Sequence, residues 1–312
     1  MTLRGVSHSS TEYACVQGHG LVEGPVNSSF VAGLKSWKNL NVVRLPLNED
    51  CWLGINGVPA AASGPAYQAG YKKLVELLTN ANIAVLADLH WTAPGSTLAT
   101  KQDPLPDADH AAQLWYGVAD SFKDNPLVLF ELFNEPFAGK ASAQTADWSC
   151  WRNGGSCPGV SDVPYQAAGM ESLIKSVRST GATNVILLGG MAWSNDLSQW
   201  NRWAPLDADP LQQTGAVWHA YDFNSCHDQH CWEQTISPVA ARVPVVVTEC
   251  GFDISWTEGL WAWIEKQHGA ISYLAWTWNT WGGNEGLVSD YAKGTPTSPW
   301  GRAFQAQIAQ GH

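Results

Sequence analysis

The chain has 312 residues, of which 14% are charged, well below the usual quarter, and its formal net charge is −11. That balance argues against nucleic acid and against anionic membrane surfaces as partners. No apolar run approaches the ~20 residues that span a bilayer, and Met1-Thr2-Leu3-Arg4 leads straight into an apparent strand with no leader peptide before it.

In chain order, the pattern predicts strands at Leu3–His8, Val42–Leu47, Ile83–His90, Leu127–Asn134, Asn184–Gly190, Ala216–His219, Pro244–Glu249 and Ile271–Trp278. Most are continuous apolar runs, as expected of parallel strands covered on both faces. Helical periodicity falls between them, at Ser28–Asn39, Tyr67–Asn80, Ala108–Lys123, Val163–Thr180, Glu258–Gln267 and Pro299–Ala309. Asn27 is placed to cap the first helix and Gly64-Pro65 to open the second. Eight strand-then-helix units without a Pro/Ser linker predict an α/β fold. The expectation is a single (β/α)8 TIM barrel over 1–312, with long, Trp-rich loops at its C-terminal face. A doubly wound open sheet would carry a glycine-rich phosphate turn after its first strand, and His19-Gly20 with Gly24 do not make one.

Seven cysteines bear on compartment. Cys150 and Cys157 are close in sequence, as are Cys226 and Cys231. Cys15 and Cys51 each follow an early strand, at what would be the same end of a parallel sheet. Bridges Cys15–Cys51, Cys150–Cys157 and Cys226–Cys231, with Cys250 left over, fit a secreted protein. The His227/His230 pair inside Cys226–Cys231 suggests zinc, but its spacing is not that of a finger and a small disulfide loop is simpler.

Polar residues terminate most of the apolar strands: Arg44 on the second, His90 on the third, Asn134 and Glu135 on the fourth, His219 and Tyr221 on the sixth, and Glu249 on the seventh. The eighth ends in Trp276 and Trp278. Burying such groups is costly without a reason. In a barrel they would converge at the C-terminal face, where active sites lie. Two glutamates on separate strand ends suit retaining glycoside hydrolysis, which needs a proton donor and an ionised nucleophile roughly 5–5.5 Å apart. Arg44 would hold Glu249 ionised. Neutral Asn134, together with a neutral His90, would leave Glu135 its proton. Tyr221 is a candidate to bind the nucleophile and His219 to orient the acid.

The stretch LVLFELFNEP resembles the signature of glycoside hydrolase family 5, whose Asn-Glu-Pro carries the acid/base, here Glu135. The other strand ends resemble the family in the same order: Arg44, His90, His219-Ala220-Tyr221, Thr248-Glu249-Cys250-Gly251 with Glu249 as nucleophile, and Trp276 as floor of the sugar site, a role Trp278 also fits. Cys250 departs from the small or apolar residues commoner there and reads as a buried free thiol. The resemblance implies double-displacement hydrolysis of a β-linked glycan, most often endo-β-1,4-glucanase (cellulase) activity. It implies no metal and no cofactor; a monomer is expected. Mannan, xyloglucan or galactan cleavage and exo action are the near alternatives. A carbohydrate-binding barrel without catalysis is the distant one, disfavoured because both glutamates are present.

Of 18 tryptophans, eight fall in loops after the strands: Trp52, Trp91, Trp148, Trp151, Trp193, Trp200, Trp203 and Trp281. A cleft binding several sugars would use exposed indoles, while about half are expected to pack inward. The remaining signals are weaker. The acidic stretch 102–110 lacks the glycine turn of a calcium loop, so Asp107 or Asp109 is read as a cap for the third helix. Ser9, Ser10 and His8 lack a nucleophile elbow, and Asn27-Ser28-Ser29 matches a glycosylation acceptor.

Overall fold

The computed structural model describes residues 2–138, 145–160, 162–205, 207, 212–283 and 285–311. Eight strands form one closed barrel: β1 (Arg4–Ser7), β2 (Val42–Asn48), β3 (Ala84–Trp91), β4 (Val128–Glu131), β5 (Ile186–Gly189), β6 (Thr214–Tyr221), β7 (Val245–Gly251) and β8 (Ile271–Ala275). Each pairs in parallel with its sequence neighbours, and β8 closes onto β1 through Arg4↔Tyr273, Gly5↔Leu274 and Val6↔Ala275. Closure leaves no edge strand to be covered. At β1 the sheet closes tightly, because a Cβ on Gly5 would collide with the Val42 carbonyl.

The interior is layered along the strand axis. Its lower layer is apolar and includes Val42, Leu86, Leu187, Val217, Val246 and Leu274. The opposite faces of the same strands pack beneath a ring of helices, among them Pro65–Thr79, Ala111–Phe122, Met170–Ser179, Ile254–Glu265 and Trp300–Ala309. Each fully buried aliphatic or Phe side chain contributes about 1.5–3 kcal/mol. Asn27 accepts from Ser29 N at 2.8 Å and caps helix Ser28–Lys35, and Pro65 opens helix Pro65–Thr79.

Some boundaries differ from the sequence expectation. Helix Ala111–Phe122 starts later than expected, because Asp107 accepts from the Asp109 and His110 amides and closes a turn before it. Helix Met170–Ser179 starts later too, since Ala167–Ala168 pairs with Gly154–Gly155 in a two-stranded sheet. Strand β4 stops at Glu131 rather than Asn134. Beyond it the amide of Leu132 still reaches Leu187 O and that of Asn134 reaches Leu89 O, in irregular backbone. Part of the long connection after β4, including 139–144, lies outside the described residues.

The three expected disulfides are present, with Cα–Cα separations of 6.3, 5.2 and 5.4 Å, and Cys250 is a buried free thiol. The Cys226–Cys231 bridge consumes both thiolates that a zinc site there would need. Among the described residues no helix is long and apolar enough to cross a membrane. His8, Ser9 and Ser10 are buried and hydrogen-bonded within the loops that join β1 to β8.

Candidate active site

Above the apolar layer the barrel interior turns polar, around Arg44. Its guanidinium is fully buried. Nε and Nη2 form a two-pronged contact with Glu131 at 2.9 Å each, Nη1 donates to Glu249 at 2.7 Å, and Nη2 also reaches Asp88 at 3.0 Å and Asn134 Oδ1 at 2.6 Å. One cation thus faces three carboxylates from β3, β4 and β7. Asp88 and Glu131 are register partners on adjacent strands, so both aim inward at the same height. Sequence reading missed these two acids. The signal was available: each is a lone charge within an apolar strand, which is costly unless paired inside the barrel.

The candidate carboxylates sit one level higher. Glu249 Oε2 accepts from the Tyr221 hydroxyl at 2.8 Å while its Oε1 holds Arg44. Glu135, partly exposed, bonds His219 Nδ1 at 2.8 Å, and His219 Nε2 bonds Thr248 Oγ1 at 2.9 Å. Thr248 and Glu249 are consecutive yet both serve the interior. The register explains it: Trp218 pairs with Val247 and His219 with Glu249, so Thr248 is an extra residue on β7. Such bulges re-aim side chains beside active sites. Glycine matters at the end of β5 as well. A Cβ on Gly189 would press on Ser194 Oγ and Pro136, and so displace the segment bearing Glu135.

Electrostatics separate the groups. Burial raises Glu135 to about 7, against the pull of His90 and Arg44. Burial lowers His219 to about 4, which keeps its ring neutral. His90 differs from the neutral ring expected. Burial lowers it, but Asp88, 2.6 Å from Nδ1, outweighs burial and brings it to about 8. The desolvation of Glu135 therefore prevails even beside a cationic imidazole.

A cavity of about 590 Å³ opens over these groups. Trp276 lines it, stacked on His90 with centroids 5.8 Å apart and planes 14° apart. Trp278 is fully buried against Trp37 and does not reach it. Exposed Trp193 and Phe223, with half-buried Phe252, also line it. Of the eight loop tryptophans, Trp52, Trp148, Trp151 and Trp200 are core residues, while Trp193 and Trp281 are exposed. Gln102, also unforeseen, ties the wall to the site by donating to Glu135 O at 2.7 Å and accepting from Asn134 Nδ2. Glu135, His219 and Glu249 present potential metal-ligand atoms within 4.8 Å of one another. Arg44 already supplies positive charge at Glu249, and the His219 nitrogen facing Glu135 is hydrogen-bonded.

Comparison with known proteins bears on the fold and the family. The chain resembles a beta-glucanase from Saccharophagus degradans solved with cellotetraose (TM-score 0.72, 19% identity, covering 99% of this chain and 88% of that one). It also resembles an endo-beta-1,4-glucanase from Xanthomonas axonopodis pv. citri carrying a triple mutation (0.68, 19%, 99% and 100%) and a hyperthermophilic endocellulase from Pyrococcus horikoshii (0.71, 17%, 99% and 93%). At such identities these likenesses speak to the fold alone. The profile of Cellulase (glycosyl hydrolase family 5) matches residues 4–282, and the chain belongs to that family of glycoside hydrolases.

Proposed function

We propose that this protein is a retaining endo-β-1,4-glucanase. Glu135 donates its proton to the glycosidic oxygen as the bond to the anomeric carbon breaks and its electron pair passes to that oxygen. Glu249 attacks the same carbon from the opposite face and forms a glycosyl-enzyme. Glu135, now a carboxylate, then takes a proton from the water that releases the sugar. Arg44 and Tyr221 hold Glu249 as the nucleophile, and His219 positions Glu135. His90 and Asn134 line the cleaved sugar's site, with Trp276 as its floor. The observation that carries this reading is that one oxygen of Glu135 and one of Glu249 lie within 4.8 Å of each other, which suits the roughly 5–5.5 Å spacing of retaining carboxylates better than the about 6.5–9.5 Å that accommodates an inverting water. The names of similar structures, and the cellotetraose held by one of them, support glucan as substrate. Three disulfides support export, and the barrel would act as a monomer without cofactor.

The test is product analysis. Reducing ends released from carboxymethylcellulose, with mannan, xyloglucan and galactan as comparisons, identify the glycan, and product sizing separates endo from exo action. NMR of the first product should show the β anomer. Glu249→Ala should regain turnover of an activated aryl glycoside with azide, giving the inverted azide adduct. An α product from the wild type would remove Glu249 from the nucleophile's role.

A further inference from the structure

The hydrogen bonds behind Glu135 have a direction. Glu131 accepts from Arg44 Nε and Nη2 and, at 3.1 Å, from the Thr248 hydroxyl. Burial pushes the Glu131 carboxyl up to about 8 against the pull of Arg44, but the two-pronged Arg44 contact covers both of its oxygens, and we read that geometry as an ionised, acceptor-only carboxylate. If Thr248 spends its proton on Glu131, its oxygen faces His219 Nε2 as an acceptor. The ring then carries its proton on Nε2 and turns a bare Nδ1 toward Glu135 Oε1, 2.8 Å away. Within that contact the bare nitrogen is satisfied by a protonated Glu135.

We propose that Glu131 and Thr248 are positioning residues that fix the Nε2–H tautomer of His219 and thereby hold Glu135 as a hydrogen-bond donor. This inference rests on the assignment of Glu135 as proton donor and adds the device that arms it. All three groups are buried. His219 is neutral through burial, so its ring offers one donor and one acceptor rather than two donors. After proton transfer the same lone pair faces an ionised Glu135. That repulsion makes the carboxylate the stronger base needed for the second step. The bulge at Thr248 acquires a purpose here, because without the extra residue β7 would not present both Thr248 and Glu249 to the interior.

Other charges face the same groups. Glu249 Oε2 lies 3.7 Å from His219 Nδ1, and His90, Asp88, Arg44 and Tyr221 surround the pair. They are unchanged by substitutions at Thr248, so a shift there reports the chain itself.

Two measurements test the inference. In Thr248→Val the Nε2 proton loses its acceptor, the ring favours Nδ1–H, and ionised Glu135 gains a donor. The basic limb of kcat/KM on a cello-oligosaccharide should move down by about one pH unit, equivalent to a tenfold change in Glu135 acidity. Thr248→Ser, which keeps the hydroxyl, should leave the limb in place. An active Thr248→Val enzyme with an unmoved limb overturns the proposal. The second readout is made on the wild-type resting enzyme: the ¹⁵N shifts of His219, whose signals are assigned by their loss in His219→Gln. Nε2–H with a bare Nδ1 is the expected state. Nδ1–H would mean the chain runs the other way, with Glu131 as donor, and would overturn the proposal even if the valine variant failed to fold. Failure of the underlying assignment looks different. If Glu135 is not the acid, Glu135→Gln will slow an aryl cellobioside with a good leaving group as much as it slows a cello-oligosaccharide.

Discussion

Arg44 and Glu249 meet through a 2.7 Å bond from Nη1 to Oε1, while the same guanidinium is held on its other nitrogens by Glu131 and Asp88. The arginine is thus the counter-ion of a whole buried layer. Its replacement leaves three carboxylates facing one another in the barrel. Removing one partner of a buried ion pair costs about 3–5 kcal/mol, and Arg44→Ala is expected to lose at least that much in urea unfolding, along with activity. A loss below about 1 kcal/mol would show that the layer relaxes by taking up protons or water.

Trp276 and Trp278 are two residues apart and face different surroundings. Trp276 lies over His90 in the cavity, whereas Trp278 is fully buried against Trp37. Trp276→Ala should weaken oligosaccharide binding by about 0.5–1.5 kcal/mol, a several-fold rise in KM, and leave the melting temperature nearly unchanged. Trp278→Ala should cost about 3–5 kcal/mol of stability through the cavity it opens. Equal effects on KM would contradict this division.

These two tryptophans mark the limit of what the sequence disclosed. Eight strand positions, the helical ring and two of the three disulfides were legible because apolar runs, 3.6-residue periodicity and close cysteine spacing are local signals, and Cys15–Cys51, 36 positions apart, was legible because each cysteine follows an early strand. So were the strand-end residues that gather at the cavity. AWTW could not be divided, because which indole faces inward depends on how backbone leaves β8. Thr248 was invisible for a similar reason, since a one-residue bulge is a register property of two strands. Asp88 and Glu131 were legible as lone charges in apolar strands and were passed over for residues at the strand ends. The charge on His90 could not be read without Asp88, its neighbour two residues back.

The pH dependence follows from opposed shifts. Glu135 is raised from 4.5 to about 7, so the acid keeps its proton below that value and the rate should fall as pH rises through about 7. The folded state binds this proton more tightly than the unfolded one. Its stabilising contribution is complete below 4.5 and is lost between 4.5 and about 7. His90, raised from 6.5 to about 8, behaves likewise and loses its contribution as pH climbs through 8. His8 and His219 run the other way. Both are lowered from 6.5 to about 4, so the unfolded chain binds their protons first and stability falls as pH drops through that window. Melting temperatures between pH 4 and 9 should therefore decline toward both ends, and the basic limb of kcat/KM should lie near 7. A limb near 9 would exclude Glu135 as the group that must stay protonated.

The disulfides differ in how much chain they close. Cys15–Cys51 spans 36 positions and Cys226–Cys231 spans 5. Loop-closure entropy assigns the first about 4 kcal/mol and the second about 2 kcal/mol. Cys15 and Cys51 are fully buried in the core cluster, so Cys15→Ala/Cys51→Ala is expected to lower the denaturation midpoint more than Cys226→Ala/Cys231→Ala. Non-reducing peptide mapping should recover the three pairs with Cys250 alkylated only after unfolding, because its thiol is buried and donates to Leu274 O. The opposite order of stability would mean that the small loop after β6 contributes through contacts made by Tyr221 and Phe223 at the cavity wall. In that case the double alanine variant at Cys226 and Cys231 should also raise KM, which the variant at Cys15 and Cys51 should not.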